Sequence, residues 1–253
     1  MVGLRNLWKV FNETRRSARQ RATLAVVGDS PRAAELAALL GAQTSPKGAE
    51  ILLSVSSSGR EATLSGKGVE EAGEVPLPSF LTGRGAEEEL APHVVRALDD
   101  DYVVPLAKAY PLFRRAACEE IVRKNARQNA LIGALPIPGA DMPVMTANQG
   151  RMVLHIAAAY GEDLTMDRAR ELLGVLAAGF GLRALARQVV KLVPFGGWAA
   201  AAAIGYAGTL AMGRATILYF ERGKQRVGER ELAEIRSRAA EEAKEFVARF
   251  RGR

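Results

Sequence analysis

The sequence predicts an α+β protein in which a small parallel α/β domain precedes an all-α domain. Two observations predict this class. Short β-branched apolar runs alternate with helical stretches up to about residue 104, and helical periodicity then continues to the end of the chain. A length of 253 residues accommodates two unequal domains, and 48% hydrophobic with 25% charged residues is typical of a globular chain.

Shifts in composition divide the chain into four segments. We predict a basic amphipathic helix over 1–21, a small α/β domain over 22–104, a helical domain over 105–222 and an amphipathic helix over 223–253. Residues 22–104 carry six basic and thirteen acidic residues, whereas the whole chain has a net charge of +7. A uniformly basic nucleic-acid-binding domain is therefore a poor description, and no nucleic-acid partner is predicted.

The first segment combines an apolar stripe at helical spacing with basic neighbours. This pattern suits a helix that lies on an anionic membrane surface, and it equally suits a first helix that packs on the body of the protein. No apolar stretch of secretory type or small-residue cleavage site is present. The predicted membrane-surface residues are Leu4, Leu7, Trp8, Phe11, Arg5 and Lys9.

Strands and helices alternate through the second segment, which predicts a parallel sheet. Ser30 is a candidate N-cap, and Pro31 suits the first helical position. The predicted elements are a strand in Ala22–Gly28, a helix from Pro31 to Leu40 that ends at Gly41, strands at Ile51–Val55, Val75–Leu77 and Tyr102–Leu106, a loop over Ser56–Gly68 and a helix over Glu87–Leu98.

The turn Gly28-Asp29-Ser30-Pro31 stands where P-loop and Rossmann-like folds hold phosphate. It lacks the Lys-Ser/Thr pair that contacts phosphate and magnesium, Pro31 removes an N–H donor, and Asp29 repels an anion. The sequence therefore predicts a degenerate fold of this kind that binds no nucleotide, and the alternative at this turn is a nucleotide-sensing or NTPase domain over Gly28–Arg32.

Other reactive side chains do not form a catalytic constellation. His93 and His155 have no second histidine at metal-ligand spacing, and Asp99-Asp100-Asp101 is typical of a solvated loop. Cys118 lies beside two glutamates that would raise the pKa of its thiol, and it is the only cysteine, which indicates a reducing, cytosol-facing location. We predict no catalytic residue, no metal and no cofactor.

The helical half contains one clear interruption. The predicted turn is formed by Pro136, Pro138, Gly139 and Asp141, where the prolines forbid helix and Asp141 can cap the helix that follows. The predicted helices are Pro111–Leu131, Met142–Tyr160, Met166–Leu192, Gly196–Arg222 and Glu229–Phe250.

Leu192–Gly213 is a run of 22 residues without a charge, which is long enough to span a bilayer. Twelve of the 22 are Ala or Gly, however, and these contribute little to insertion. A small residue recurs at every fourth position, which makes a groove for close approach of another helix in a membrane or in a soluble pair. This small-residue row consists of Gly197, Ala201, Gly205, Thr209 and Gly213.

Five motifs of the helical half stand in a recognisable order: Asn125–Ala134 (NARQNALIGA), the turn Pro136–Asp141, Gln149–Met152 with Ile156–Gly161, Lys191–Pro194 and Tyr206–Tyr219 (YAGTLAMGRATILY). In this order they resemble an uncharacterised helical domain that is often fused behind bacterial Era-like GTPases and that also occurs in the inner-membrane protein YcjF. The resemblance covers about Val104–Gly223 and implies a membrane-associated helical module without family catalytic residues. By this resemblance residues 22–104 stand where a GTPase domain would be.

Together these features predict a non-enzymatic, membrane-associated protein of the bacterial inner membrane that faces the cytoplasm. Its expected partners are anionic membrane lipid, a GTPase and further copies of itself. The alternative is a soluble dimeric interaction module that partners a separate GTPase through the small-residue row or the last helix.

Overall fold

The structure, a computed structural model, describes residues 22–134, 141–162 and 197–251. It confirms the predicted α+β class, with a small sheet followed by helices. The described chain divides into two compact units: residues 22–120 with 158–162, called here the α/β unit, and residues 121–157 with 197–251, called the helical unit. The α/β unit thus continues past the predicted boundary at residue 104.

The α/β unit begins with a β-α-β segment, as predicted. Strand β1 is Leu24–Val27, helix α1 is Pro31–Leu40 and strand β2 is Ile51–Val55. The Ser30 hydroxyl accepts a hydrogen bond from the Arg32 N–H and caps α1. Gly41 ends α1 in the left-handed conformation, at φ 66°, which glycine adopts without steric cost. β1 and β2 are parallel.

The rest of the sheet is antiparallel, so the prediction of a parallel sheet was wrong beyond β2. Strand β3 is Glu61–Ser65, inside the predicted loop Ser56–Gly68, and strand β4 is Gly73–Pro76. The order is β1-β2-β3-β4. Only residues 56–60 join β2 to β3, which is too short for a parallel crossover, and Gly59 at φ 66° lets the chain turn back there.

Four short helical elements follow the sheet. The predicted helix Glu87–Leu98 is a succession of α2 (Gly83–Gly85), a π-helical turn (Ala86–Leu90) and α3 (Ala91–Arg96). The predicted strand Tyr102–Leu106 was wrong, because it forms part of helix α4, Asp100–Ala109. The Asp99 carboxylate caps α4 by accepting a hydrogen bond from the Asp101 N–H at 2.9 Å. The acidic residues of the first turn also stabilise α4, because their negative charge lies at the positive end of the helix dipole.

Four long helices complete the described chain, close to their predicted bounds. They are α5 (Pro111–Ala134), α6 (Asp141–Ala159), α7 (Trp198–Glu221) and α8 (Glu229–Arg251). Sixteen of the 24 residues of α7 are buried, so α7 is the central helix of its unit. The predicted helix Met166–Leu192 lies outside the described residues.

Candidate functional site

The turn between β1 and α1 is packed closely on β2. Gly28 has a φ of 149°, and a Cβ atom added to it would lie 2.7 Å from the Val55 carbonyl oxygen. The Arg32 guanidinium donates two hydrogen bonds to the loop after β4, one to the Pro78 carbonyl at 2.6 Å and one to the Ser79 carbonyl at 3.3 Å. An arginine side chain and a serine cap therefore occupy the start of α1, where related folds place phosphate.

The small-residue row of α7 faces α5. A Cβ atom on Gly205 would lie 2.7 Å from the Asn129 carbonyl oxygen, and one on Gly213 would overlap both γ-methyl groups of Val122. The Ala201 carbonyl oxygen in turn lies 2.9 Å from the Cβ position of Gly133. Absence of side chains at these points lets the two backbones approach closely. The row thus packs within one chain, with α5 and α7 antiparallel.

Gly197 and Thr209 have different roles from the other members of the row. Gly197 lies at the N-cap position of α7 with a φ of 81°, and nothing lies within 4 Å of its Cβ position. Thr209 is fully buried, and its hydroxyl donates to the Gly205 carbonyl at 2.8 Å. Gly197 therefore begins the helix, and Thr209 contributes a polar group to its buried face.

A buried polar cluster joins α5, α6 and α7 at Thr209. The Thr209 hydroxyl accepts from Asn129 Nδ2 at 2.8 Å and from Gln149 Nε2 at 3.4 Å, and Asn129 Oδ1 accepts from Asn148 Nδ2 at 3.1 Å. Asn129 is fully buried. Since a buried amide without partners is costly, this cluster specifies how the three helices align.

Helix α8 packs on α7 through an aromatic stack and ion pairs. The rings of Tyr206 and Phe246 are stacked with centroids 4.3 Å apart, and Arg214 makes a two-pronged ion pair with Glu242 at 2.6 and 3.1 Å. The pKa of Tyr206 is raised by burial and by the nearby Glu242 carboxylate, although Arg127, Arg123 and Arg214 oppose this shift.

Large apolar side chains are exposed where α5 ends and α6 and α7 begin. Leu131 is 55% exposed, Val144 49% and Trp198 55%. These three residues are called here the apolar collar. Phe80, at 81%, is the other exposed large apolar residue in the described chain, and it belongs to the α/β unit. Three of the four therefore lie at one end of the helical unit.

Three of the remaining reactive side chains, His93, Cys118 and Asp99, are hydrogen-bonded or buried within the fold. His93 Nδ1 donates to the Glu89 carbonyl at 2.7 Å, one turn earlier, and Cys118 is buried. Asp99 is a helix cap rather than part of a loop. Within residues 22–134, 141–162 and 197–251, no group of three or more His, Cys, Asp or Glu side chains is placed to hold a metal ion.

Two further sets of predicted site residues fall where the structure gives no description. The membrane-surface residues Leu4, Arg5, Leu7, Trp8, Lys9 and Phe11 lie outside the described residues, as do Pro136, Pro138 and Gly139 of the predicted turn. Asp141, the last member of that turn, is the first residue of α6. Among the helices that are described, none combines the length and the hydropathy needed to cross a membrane.

A family model for DUF697, a domain of unknown function, matches residues 106–245. The chain belongs to the DUF697 family. The match runs from the end of α4 into α8, and it includes the small-residue row, the polar cluster and the apolar collar. It also extends past the predicted limit at Gly223, so most of α8 is part of the DUF697 domain. No curated protein and no solved structure matches the chain.

Sequence reasoning missed the polar cluster and the apolar collar of the DUF697 domain. A signal for the cluster was present at Thr209, which is a polar residue of the small-residue row within the uncharged stretch Leu192–Gly213, but not at Asn129, which follows Arg127 and Gln128 in a polar run. Such interruptions within apolar stretches indicate a polar partner on another helix. No comparable signal marks the collar, since exposure depends on which faces the neighbouring helices leave uncovered.

Proposed function

We propose that this protein is a non-enzymatic, membrane-associated helical protein at the cytoplasmic face of the bacterial inner membrane, an accessory or regulatory module related to GTPase-associated domains. The observation that carries this proposal is that residues 121–134 and 142–159 of the helical unit contain basic residues and no carboxylate. Among the described residues, Arg123 and Arg127 of α5 and Arg151 of α6 form no ion pair. Anionic lipid headgroups would supply the missing negative charge.

The charge distribution supports an oriented attachment. Arg123 and Arg127 are one helical turn apart on α5, where like charges repel unless an anion lies between them. The segment 22–104, with six basic and thirteen acidic residues, would be repelled by the same surface. An anionic membrane therefore attracts the helical unit and repels the acidic segment.

Vesicle co-sedimentation of the full-length chain tests this proposal. We expect binding to vesicles that contain phosphatidylglycerol, little binding to pure phosphatidylcholine vesicles, and loss of binding at high salt because exposed charges are then screened. The variant Arg123→Gln, Arg127→Gln, Arg151→Gln should bind at least about tenfold more weakly.

A matched control removes the same number of charges from the other unit. The variant Lys47→Gln, Lys67→Gln, Arg96→Gln changes three exposed cations of the α/β unit and should bind as the natural chain does. Equal loss in both variants would indicate that only net charge matters. No binding to anionic vesicles at low salt would refute membrane association.

The non-enzymatic part of the proposal rests on the turn before α1. Arg32 and Ser30 engage backbone groups there, and Gly28 leaves no room for a side chain against β2. We expect no thermal stabilisation by ATP or GTP with magnesium, and no phosphate release above the blank. A saturable shift that Arg32→Ala abolishes would overturn this expectation.

The alternative function is a soluble dimeric interaction module that partners a separate GTPase. Burial of 16 of the 24 residues of α7 favours it, because a helix covered by its own chain needs no lipid. This alternative predicts a concentration-dependent dimer without vesicle binding. Analytical ultracentrifugation beside the co-sedimentation assay separates the two proposals.

A further inference from the structure

We propose that the apolar collar, Leu131, Val144 and Trp198, docks end-on into the interfacial layer of an anionic bilayer, with Arg127 behind it at the level of the headgroups and Arg151 just beyond them. This inference rests on the membrane association proposed above and states which surface makes the contact. The partner that contacts the collar is a lipid surface rather than another protein. Exposure, helix direction and charge support it independently.

The contacts between helices place the three residues at one end. Gly133 lies against Ala201, and Asn129 against Gly205, so the end of α5 lies beside the beginning of α7. The Met145 side chain reaches the Cβ position of Gly205, which aligns the beginning of α6 with the same end. Leu131, Val144 and Trp198 therefore share one end of the unit while projecting from three different helices.

The exposed side chains at this end are those that favour a membrane interface. A tryptophan prefers the boundary between headgroups and hydrocarbon, while leucine and valine prefer hydrocarbon. Single exposed apolar residues are ordinary on soluble proteins, whereas here three of the four exposed large apolar residues in the described chain project from separate helices at one end. Shallow insertion of that end removes this surface from water.

Arg127 lies behind the collar at the depth of the headgroup layer, and Arg151 lies just beyond that depth. At about 1.5 Å per residue, Arg127 lies about 6 Å along α5 from Leu131, and Arg151 about 10 Å along α6 from Val144. The headgroup region of each leaflet is about 5–8 Å thick. Residues 121–134, 142–159 and 198–213 contain no carboxylate, and Asp141 is the one acidic residue at the start of α6.

Helix α8 runs beside α7 and does not cancel this charge. Its acidic residues near the same end pair within the helix, Glu245 with Arg249 at 3.9 Å and Glu241 with Lys244 at 3.9 Å. Among the described residues Arg127 and Arg151 form no ion pair, and the Glu242 carboxylate, which acts on Tyr206 as Arg127 does, is paired with Arg214.

The same charges disfavour a second copy of the chain as the occupant. A symmetric contact through the collar would offer these arginines no counter-ion, because residues 121–134 and 142–159 of the second copy contain no carboxylate either. Phosphate groups of an anionic bilayer are complementary to them.

Tryptophan fluorescence tests the docking surface directly. The chain has two tryptophans, so Trp8→Phe leaves Trp198 as the only one. On vesicles with phosphatidylglycerol we expect a blue shift of Trp198 emission and quenching by lipids brominated near the headgroup end of the acyl chain. The reciprocal variant Trp198→Phe reports on Trp8 alone under the same conditions.

Substitutions in the collar provide a second readout. Leu131→Glu with Val144→Glu should weaken vesicle binding at least about tenfold, since carboxylates in the interface are costly and repel anionic lipid. Both residues are exposed, so circular dichroism and thermal unfolding should be unchanged. Phe80→Glu, a change at an exposed apolar residue of the α/β unit, is the matched control and should bind normally.

The outcomes separate this inference from the proposed function. If the chain binds anionic vesicles while Trp198 stays unshifted and unquenched, membrane association stands and the collar is not the contact. If Leu131→Glu instead dissociates an oligomer and leaves vesicle binding intact, the collar is a contact between copies and the inference is overturned. If the chain binds no vesicles, both proposals fail.

Discussion

The side-chain amide of Asn129 donates a 2.8 Å hydrogen bond to the hydroxyl of Thr209, and both residues are fully buried. This bond joins α5 to α7 across 80 residues of sequence. It also connects the small-residue row to the amides of α6, because Gln149 donates to the same hydroxyl. The Thr209 hydroxyl therefore links three helices, and its removal takes an acceptor from both the Asn129 and the Gln149 amides.

We predict that Thr209→Val lowers the free energy of unfolding by about 1–3 kcal/mol, since the buried Asn129 amide loses its acceptor. Urea denaturation measures this. The control is Thr216→Val, because the Thr216 hydroxyl is equally buried but donates only to the Met212 carbonyl of its own helix. That change should cost less than about 0.5 kcal/mol. Equal costs would show that the cluster contributes nothing beyond packing.

The close approach of α5 and α7 predicts a rescue experiment. Gly213→Ala should destabilise the protein by about 1–3 kcal/mol because the new methyl group overlaps Val122, and Val122→Ala in the same chain should restore part of the loss. Gly205→Ala should be as harmful, but its overlap is with the Asn129 backbone and no side-chain change relieves it.

Gly73→Ala is the control for these substitutions, since nothing lies within 4 Å of its Cβ position and its φ is not positive. It should change stability by less than about 0.5 kcal/mol. If Gly213→Ala proves equally harmless, the close contact between the helices is refuted.

The ion pair between Arg214 and Glu242 should couple α7 to α8. The side chain of Arg214 is 18% exposed and that of Glu242 39%. A double-mutant cycle with Arg214→Met and Glu242→Gln should give a coupling of about 1–3 kcal/mol, because a half-buried, two-pronged pair is weakly screened. The exposed pair Arg249 and Glu245, at 3.9 Å, should give no more than about 0.5 kcal/mol in the same assay.

The raised pKa of Tyr206 predicts a loss of stability in alkali. The folded state holds the phenol proton more tightly than the unfolded state, whose tyrosine pKa is about 10. The stabilisation is therefore fully present below pH 10 and is lost as the pH rises through the folded pKa. Tyr206→Phe should show a shallower decline of unfolding free energy above about pH 10, and the same slope in both proteins would contradict the prediction.

Local signals in the sequence determined most of the elements. Ser30, Pro31 and Gly41 delimit α1 because capping, ring geometry and left-handed backbone are properties of the residues themselves. Helical periodicity likewise determined α5 to α8 to within a few residues. The small-residue row was readable as a surface for close packing, since its members recur at one spacing along one helix.

Pairing between distant segments was decided only by the tertiary structure. The direction of β3 depended on the short turn after β2, and the apolar run in α4 became helix because the Asp99 cap and acidic first turn outweigh its β-branched composition. The partner of the small-residue row, its own α5, could not be read from the row itself. Spacing along a chain shows which residues share a face, whereas burial, hydrogen-bond partners and the exposed collar depend on which other element meets that face.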